Sequence, residues 1–204
     1  VYKKNNDLLI LHNPISQIPL RYNFIKEFID YNSLIVFDSL HSLNEFSSLN
    51  KKYTNCKMIN TGVNSVYFTP KKTNNHIQKL NLICISEFEE RKGIQYLIQA
   101  IPDLLLEFPS IFLTIIGSGK LKSRYKNMID KLSIKDFVKI QDPVNDTRPY
   151  LIMSDIYFLL SDGEGFPLGL LEAMSCGIPA IVSDKPPFDE IIDITLHHEG
   201  GYVH

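Results

Sequence analysis

Ile156-Tyr157-Phe158-Leu159-Leu160, Ser161-Asp162-Gly163, Glu164-Gly165-Phe166-Pro167-Leu168-Gly169-Leu170-Leu171-Glu172 and Ala173-Met174-Ser175-Cys176-Gly177-Ile178-Pro179 follow one another without a gap. The apolar run Ile156 to Leu160 has the length of a buried strand. Ser161-Asp162-Gly163 is turn chemistry. Pro167 fits the first helical position, where its missing N–H costs nothing, and Gly177 fits the place just past a helix end. One carboxylate, Glu164, therefore stands in the loop before a helix and the other, Glu172, about a turn inside it. Between them lie backbone N–H groups that no helical carbonyl can use. Free donors at the positive end of a helix attract an anion, typically a phosphate. A carboxylate just beyond such a site can accept hydrogen bonds from sugar hydroxyls, as acidic residues do for ribose in dinucleotide folds. The chemistry points to a nucleotide and a sugar; the plainer alternative is a turn, a helix and two solvated glutamates.

Strands and helices alternate on the N-terminal side of this stretch, which is the pattern of an α/β fold with a parallel sheet. The first part reads as strand Leu8–His12, helix Tyr22–Asp30, strand Leu34–Phe37, helix Ser42–Leu49 and strand Lys57–Asn60. The polar stretch Lys71–Lys79 reads as a linker. The pattern then restarts with strand Leu82–Ile85, a charged loop Glu87–Gly93, and a helix over Ile94–Phe108 that Pro102 is expected to kink. Strand Ile111–Ile116, helix Leu121–Leu132, strand Phe137–Ile140, short helix Thr147–Met153 and, after the opening stretch, strand Pro179–Ser183 complete the series.

Composition narrows the function. The chain has 204 residues, 44% of them apolar, and a formal net charge of −2, with an isoelectric point near 6.3. That is enough apolar material for a core, and the charge argues against a general nucleic-acid binder. Cys56, Cys84 and Cys176 form no C-x-x-C pair, which favours reduced thiols and a cytoplasmic setting over disulfides or zinc. The histidines show no metal spacing and no D-x-D pair exists, so no metal and no cofactor is expected. No apolar run approaches a transmembrane span.

Gly117-Ser118-Gly119-Lys120 matches neither a P-loop nor a dinucleotide fingerprint, because Thr114, Leu121 and Lys122 occupy deciding positions. It reads as a tight strand-to-helix turn or as a place where backbone approaches a ligand. Lys120, Lys122, Arg124, Lys126, Lys131 and Lys135 give the neighbouring helix a basic face, either solvated or in peripheral contact with anionic lipid.

The stretch from Glu164 to Glu172 resembles the E-x7-E motif of retaining GT-B glycosyltransferases of the group 1, or family-four, class, and the resemblance runs from about Leu34 to Val203. Asn60-Thr61-Gly62-Val63-Asn64 and Phe68-Thr69-Pro70 resemble the passage between the two Rossmann-like domains of that class. The resemblance implies a partial acceptor-side domain over residues 1–72 and a donor-binding domain over 73–204, both short of the family's full length, so that the 204 residues are expected to bind donor but to transfer sugar negligibly. It implies transfer of a sugar, with retention, from a nucleotide-diphosphate sugar to a carbohydrate, small-molecule or lipid-linked acceptor. Glu164, Lys92 and Arg91 are the implied catalytic residues: Glu164 against the transferred sugar, Lys92 with Arg91 against the departing diphosphate. Ser86, Gly117, Gly119, Phe166, Leu168, Gly169 and Glu172 are the implied donor-binding residues, with Glu172 on the ribose. His12 is the match for an acceptor-side histidine near the sugar.

Three departures stand out. Glu87 occupies a position where the family carries an Arg on the diphosphate, so either Arg91 substitutes or diphosphate binding is weakened, at a cost of about 1.5–3 kcal/mol for one charge-assisted contact. Asp142 stands where Gly is usual in the strand beside the base. Lys185-Pro186-Pro187-Phe188 replaces a glycine pair. The competing reading is a non-catalytic nucleotide-sugar binding module.

Overall fold

The computed structural model describes residues 8–11, 34–49, 54–70, 79–185, 187–188 and 191. The expected helix Tyr22–Asp30, the linker Lys71–Lys79 save its last residue, and His12 lie outside the described residues.

Two parallel sheets carry the chain. In the first, β1 (Leu8–Leu11), β2 (Leu34–Phe37) and β3 (Cys56–Met58) lie in that order, in register Leu8↔Leu34 and Val36↔Lys57. Helix α1 spans Leu40–Leu49. It begins two residues earlier than expected because Ser39 caps it, its hydroxyl oxygen accepting the Ser42 amide at 3.2 Å. Phe46 of α1 packs on Phe37 of β2, ring centroids 5.1 Å apart.

The second sheet is formed by β4 (Leu80–Ile85), β5 (Ile111–Ile116), β6 (Val138–Gln141), β7 (Ile156–Leu159) and β8 (Ala180–Val182). All its pairings are parallel, in the order β6-β5-β4-β7-β8. The order reverses at β4, with β5 on one side and β7 on the other. In an open α/β sheet that reversal opens a crevice at the strand carboxyl ends.

Side chains of β4 alternate between two cores, as period-2 geometry requires. Leu82 and Cys84 join Leu97, Ile98 and Ile101 of α2 (Ile94–Glu107) and Tyr125 and Ile129 of α3 (Lys122–Lys131). Ile83 joins Leu151 of α4 (Arg148–Ile152) and Leu170 and Ala173 of α5 (Leu168–Ser175). Each fully buried Leu or Ile contributes about 1.5–3 kcal/mol, enough to override local preference. Pro102 shows this: α2 continues through it as one helix, because Leu97, Ile98 and Ile101 anchor the turns before it and Leu104 and Leu105 pack against the same core after it.

Pro167 also differs from expectation. It caps α5 from outside the first turn, extended at φ −79 and ψ 91, and its carbonyl accepts the Leu170 and Leu171 amides. A proline has no N–H to satisfy there either, so the sequence signal was right to within one residue. Gly177 ends α5 at φ +72, its amide bonded to the Met174 carbonyl, as expected.

Tyr67 to Pro70 are fastened to the α4–α5 side of the second sheet. Phe68 packs against that core. Its carbonyl accepts the Ser175 hydroxyl at 2.6 Å, and the Arg148 guanidinium lies 4.2 Å from the centre of the Tyr67 ring.

Candidate functional site

The loops after β4, β5, β6 and β7 meet at the carboxyl ends of the second sheet. Glycine is required where two of them touch. The Ser86 amide donates to the Ile116 carbonyl at 3.0 Å and the Phe88 amide to the Ser118 carbonyl at 2.7 Å. A Cβ on Gly117, at φ +157, would lie 1.9 Å from the Ser86 carbonyl oxygen, and one on Gly119 2.7 Å from that of Phe88. The two glycines therefore make a tight turn against a neighbouring backbone. Gly117 additionally lines a pocket.

That pocket, about 290 Å³ in volume, is lined by Ile85, Ser86, Glu87, Gly117, Pro143, Val144 and Thr147 among others. Its walls are mostly apolar, as suits a flat ring. The Ser86 hydroxyl oxygen is buried and has no hydrogen-bond partner among the described residues. Such a group costs free energy unless a ligand satisfies it.

Glu172 stands beside the pocket through Thr147, whose hydroxyl donates to Oε2 at 3.2 Å. Burial raises the Glu172 carboxyl above its usual range and the Thr147 hydrogen bond pulls it partly back. The Leu168 and Gly169 amides precede the first hydrogen bond of α5, since the Pro167 carbonyl is taken up by Leu170 and Leu171. Leu168 is exposed, whereas the Phe166 side chain packs against the core.

Glu164, Lys92 and Arg91 form one cluster, in which Glu164 and Lys92 are largely buried and Arg91 is half-buried. The Lys92 ammonium donates to both Glu164 carboxylate oxygens at 2.6 and 2.8 Å. The Ser161 hydroxyl donates to Oε1 at 2.5 Å. Arg91 Nη1 lies 3.7 Å from Oε2 and donates to the Gly163 carbonyl at 3.4 Å. The 3₁₀ turn Glu90–Lys92 ends at Gly93, whose left-handed φ of +69 brings its Cα against the Leu160 carbonyl. The Asp162 amide closes the contact by donating to the Arg91 carbonyl at 2.7 Å. The loops after β4 and β7 are thus locked together around a charge pair. A second concavity, about 750 Å³, opens between the start of α2 and the loops after β7 and β8.

The basic face of α3 is partly neutralised: Lys122 bonds Asp142, and Arg124 bonds Glu90 at 2.6 Å. Asp142, at the position unusual for the family, is therefore an ion-pair partner. Among the described residues no group of three or more His, Cys, Asp or Glu is placed to hold a metal. All three cysteines are free thiols, and among the described residues no helix is long and apolar enough to cross a membrane.

Sequence reasoning missed Thr147 and Ser161, which hold the two glutamates. Ser161 was visible as turn chemistry beside Glu164. Thr147 could have been found as the polar residue opening α4.

Comparison with known proteins accords with this geometry. Residues 67–202 match the family model of the group 1 glycosyl transferases. An uncharacterized glycosyltransferase of Haemophilus influenzae is 30% identical over 134 residues, 66% of this chain and 37% of that protein. The N-acetyl-alpha-D-glucosaminyl L-malate synthase of Bacillus anthracis is 34% identical over 122 residues, 60% of this chain and 31% of its own length. The chain thus spans about a third of the length of these relatives. Among solved structures, Anabaena Alr3699/HepE in complex with UDP and glucose superposes with a TM-score of 0.79 at 18% identity, covering 97% of this chain and 57% of that one. WaaG, a glycosyltransferase involved in lipopolysaccharide biosynthesis, superposes with a TM-score of 0.77 at 16% identity, covering 97% and 60%. The α/β architecture with its parallel sheets is that of the GT-B glycosyltransferases, and the chain belongs to the group 1 glycosyl transferase family.

Proposed function

We propose that this chain carries the donor site of a retaining glycosyltransferase, which moves a sugar from a nucleotide-diphosphate sugar to a carbohydrate, small-molecule or lipid-linked acceptor. The observation that carries the reading is the mostly apolar pocket at the sheet's crevice, flanked by Glu172 through Thr147. Its volume suits one nucleoside. The base enters between Gly117 and Val144, and Glu172 accepts the ribose hydroxyls. The Leu168 and Gly169 amides hold the diphosphate at the positive end of α5. Lys92, with Arg91, neutralises charge that develops on the departing diphosphate, an electrostatic contribution that is large when the groups are preorganised. Glu164 contacts the transferred sugar. No residue of the chain is assigned as a metal ligand, and donor binding is proposed to be metal-independent. Solved relatives bound to UDP with glucose or GlcNAc support the donor class.

Glu87 favours a second reading, a non-catalytic nucleotide-sugar binding module, because it lines the pocket at a position where the family resemblance implies an Arg on the diphosphate. Two substitutions test the first reading against it. Glu172→Ala should mainly weaken nucleoside diphosphate affinity. Glu164→Gln should mainly lower turnover and leave that affinity nearly intact. A Glu164→Gln variant that no longer binds UDP or GDP, beside a Glu172→Ala variant that does, would reverse the assignment. Binding without donor hydrolysis or transfer in any variant, including the parent, would favour the binding module.

A further inference from the structure

Tyr157 is fully buried beneath the site and has no role in the donor reading. Pairing between β4 and β7 stops at Ile83↔Tyr157, so Ile85 lies beyond the last residue paired with β7, at the edge of the crevice. The Ile85 carbonyl accepts the Tyr157 hydroxyl at 3.3 Å. On its other side the same hydroxyl abuts the start of α5, where a methyl group on Gly169 would come within 2.7 Å of it. Burial above all, and then Cys84, Glu164 and Glu172, hold the phenol well above its ordinary range, so it remains a donor. Glycine is the least favourable helix residue after proline, so its presence in the first turn of α5 calls for a steric reason, and the hydroxyl supplies one. Residues 157 and 169 fit each other as a pair.

We infer that Tyr157 is a positioning residue whose hydroxyl, wedged between the Ile85 carbonyl and Gly169, sets the distance from the nucleoside pocket to the start of α5. It thereby places the Leu168 and Gly169 amides at the diphosphate. This rests on the donor-site reading above. A nucleoside occupies the pocket alone, whereas a nucleoside diphosphate spans the pocket and the helix start. Moving α5 away from β4 should therefore weaken the diphosphate and spare the nucleoside.

Gly169→Ala, Tyr157→Phe and the double variant of the 204-residue chain test it, with UDP against uridine and GDP against guanosine in calorimetry, and urea denaturation without ligand. Gly169→Ala should weaken the bound diphosphate about tenfold and its nucleoside less than about twofold, and adding Tyr157→Phe should return diphosphate affinity to within about threefold of the parent. Tyr157→Phe alone, should Gly169→Ala fail to fold, should weaken the diphosphate about threefold and spare the nucleoside. Equal losses on nucleoside and diphosphate, or no rescue in the double variant, would overturn the inference. A parent chain that binds no nucleotide would instead refute the donor reading. The ligand-free denaturation cycle would then still judge the spacing: additive effects at 157 and 169 would overturn it, and rescue of Gly169→Ala by Tyr157→Phe would uphold it.

Discussion

Lys92 and Glu164 hold each other at 2.6 Å with side chains about one-tenth exposed, and this pair sets what single substitutions do. Removing one partner of a buried pair leaves a charge without compensation. Lys92→Ala should lower unfolding free energy by about 3 kcal/mol, the lower end of the usual range because Arg91 remains near the same carboxylate. Lys92→Met combined with Glu164→Gln should recover most of that loss in urea denaturation, and a double variant no more stable than Lys92→Ala would contradict the account. Glu172 behaves in the opposite sense. Its folded carboxyl binds a proton more tightly than the ordinary value of 4.5. Its contribution to stability is therefore most favourable below that value and is withdrawn as pH rises through the interval above it. Glu172→Gln should accordingly leave the chain at least as stable at pH 7 while weakening nucleoside diphosphate affinity about tenfold, the worth of hydrogen bonds to a charged acceptor. Thermal melts at pH 4 and pH 7 beside a UDP or GDP titration check both halves. A loss of stability at pH 7 with unchanged affinity would make Glu172 a structural residue.

Helix α5 was legible in the sequence because both its ends carry backbone punctuation, Pro167 before it and Gly177 after it, and the apolar runs of β4 and β5 were legible for the same local reason. The continuity of α2 through Pro102 was not, since it depends on burial against strands distant in the chain. Likewise, the candidate-site residues Glu164 and Glu172 could be picked out by spacing. What holds them could not: Lys92 reaches Glu164 across 72 positions and Thr147 reaches Glu172 across 25. Periodicity sees one element at a time. The glycine pair after β5 shows the same limit, because its need arises from the loop after β4. Gly117→Ala would press a methyl group onto the Ser86 carbonyl in a backbone region that favours glycine, so it should destabilise by at least about 2 kcal/mol. Gly62→Ala, where a Cβ meets nothing within 4 Å, is the control, and equal melting temperatures for the two variants would show that the loops separate readily.

The whole molecule places its candidate site at the reversal point of the second sheet, where the crevice lies. In a GT-B enzyme the reaction runs between two units, and aligning two bound reactants can supply about 7–11 kcal/mol of barrier reduction. On the proposed reading, donor capture uses the second sheet and its loops. The chain spans about a third of the curated relatives' length, and donor binding is the proposed activity that its described residues allow to be tested. The most direct measurement is a calorimetric titration of the 204-residue chain with UDP, GDP and ADP and their sugar conjugates, in EDTA. The account predicts saturable binding of at least one nucleoside diphosphate at one site per chain, unaffected by the chelator and weakened by Glu172→Ala. No heat and no thermal shift with any of them, or binding that appears only with Mg²⁺ or Mn²⁺, would contradict it.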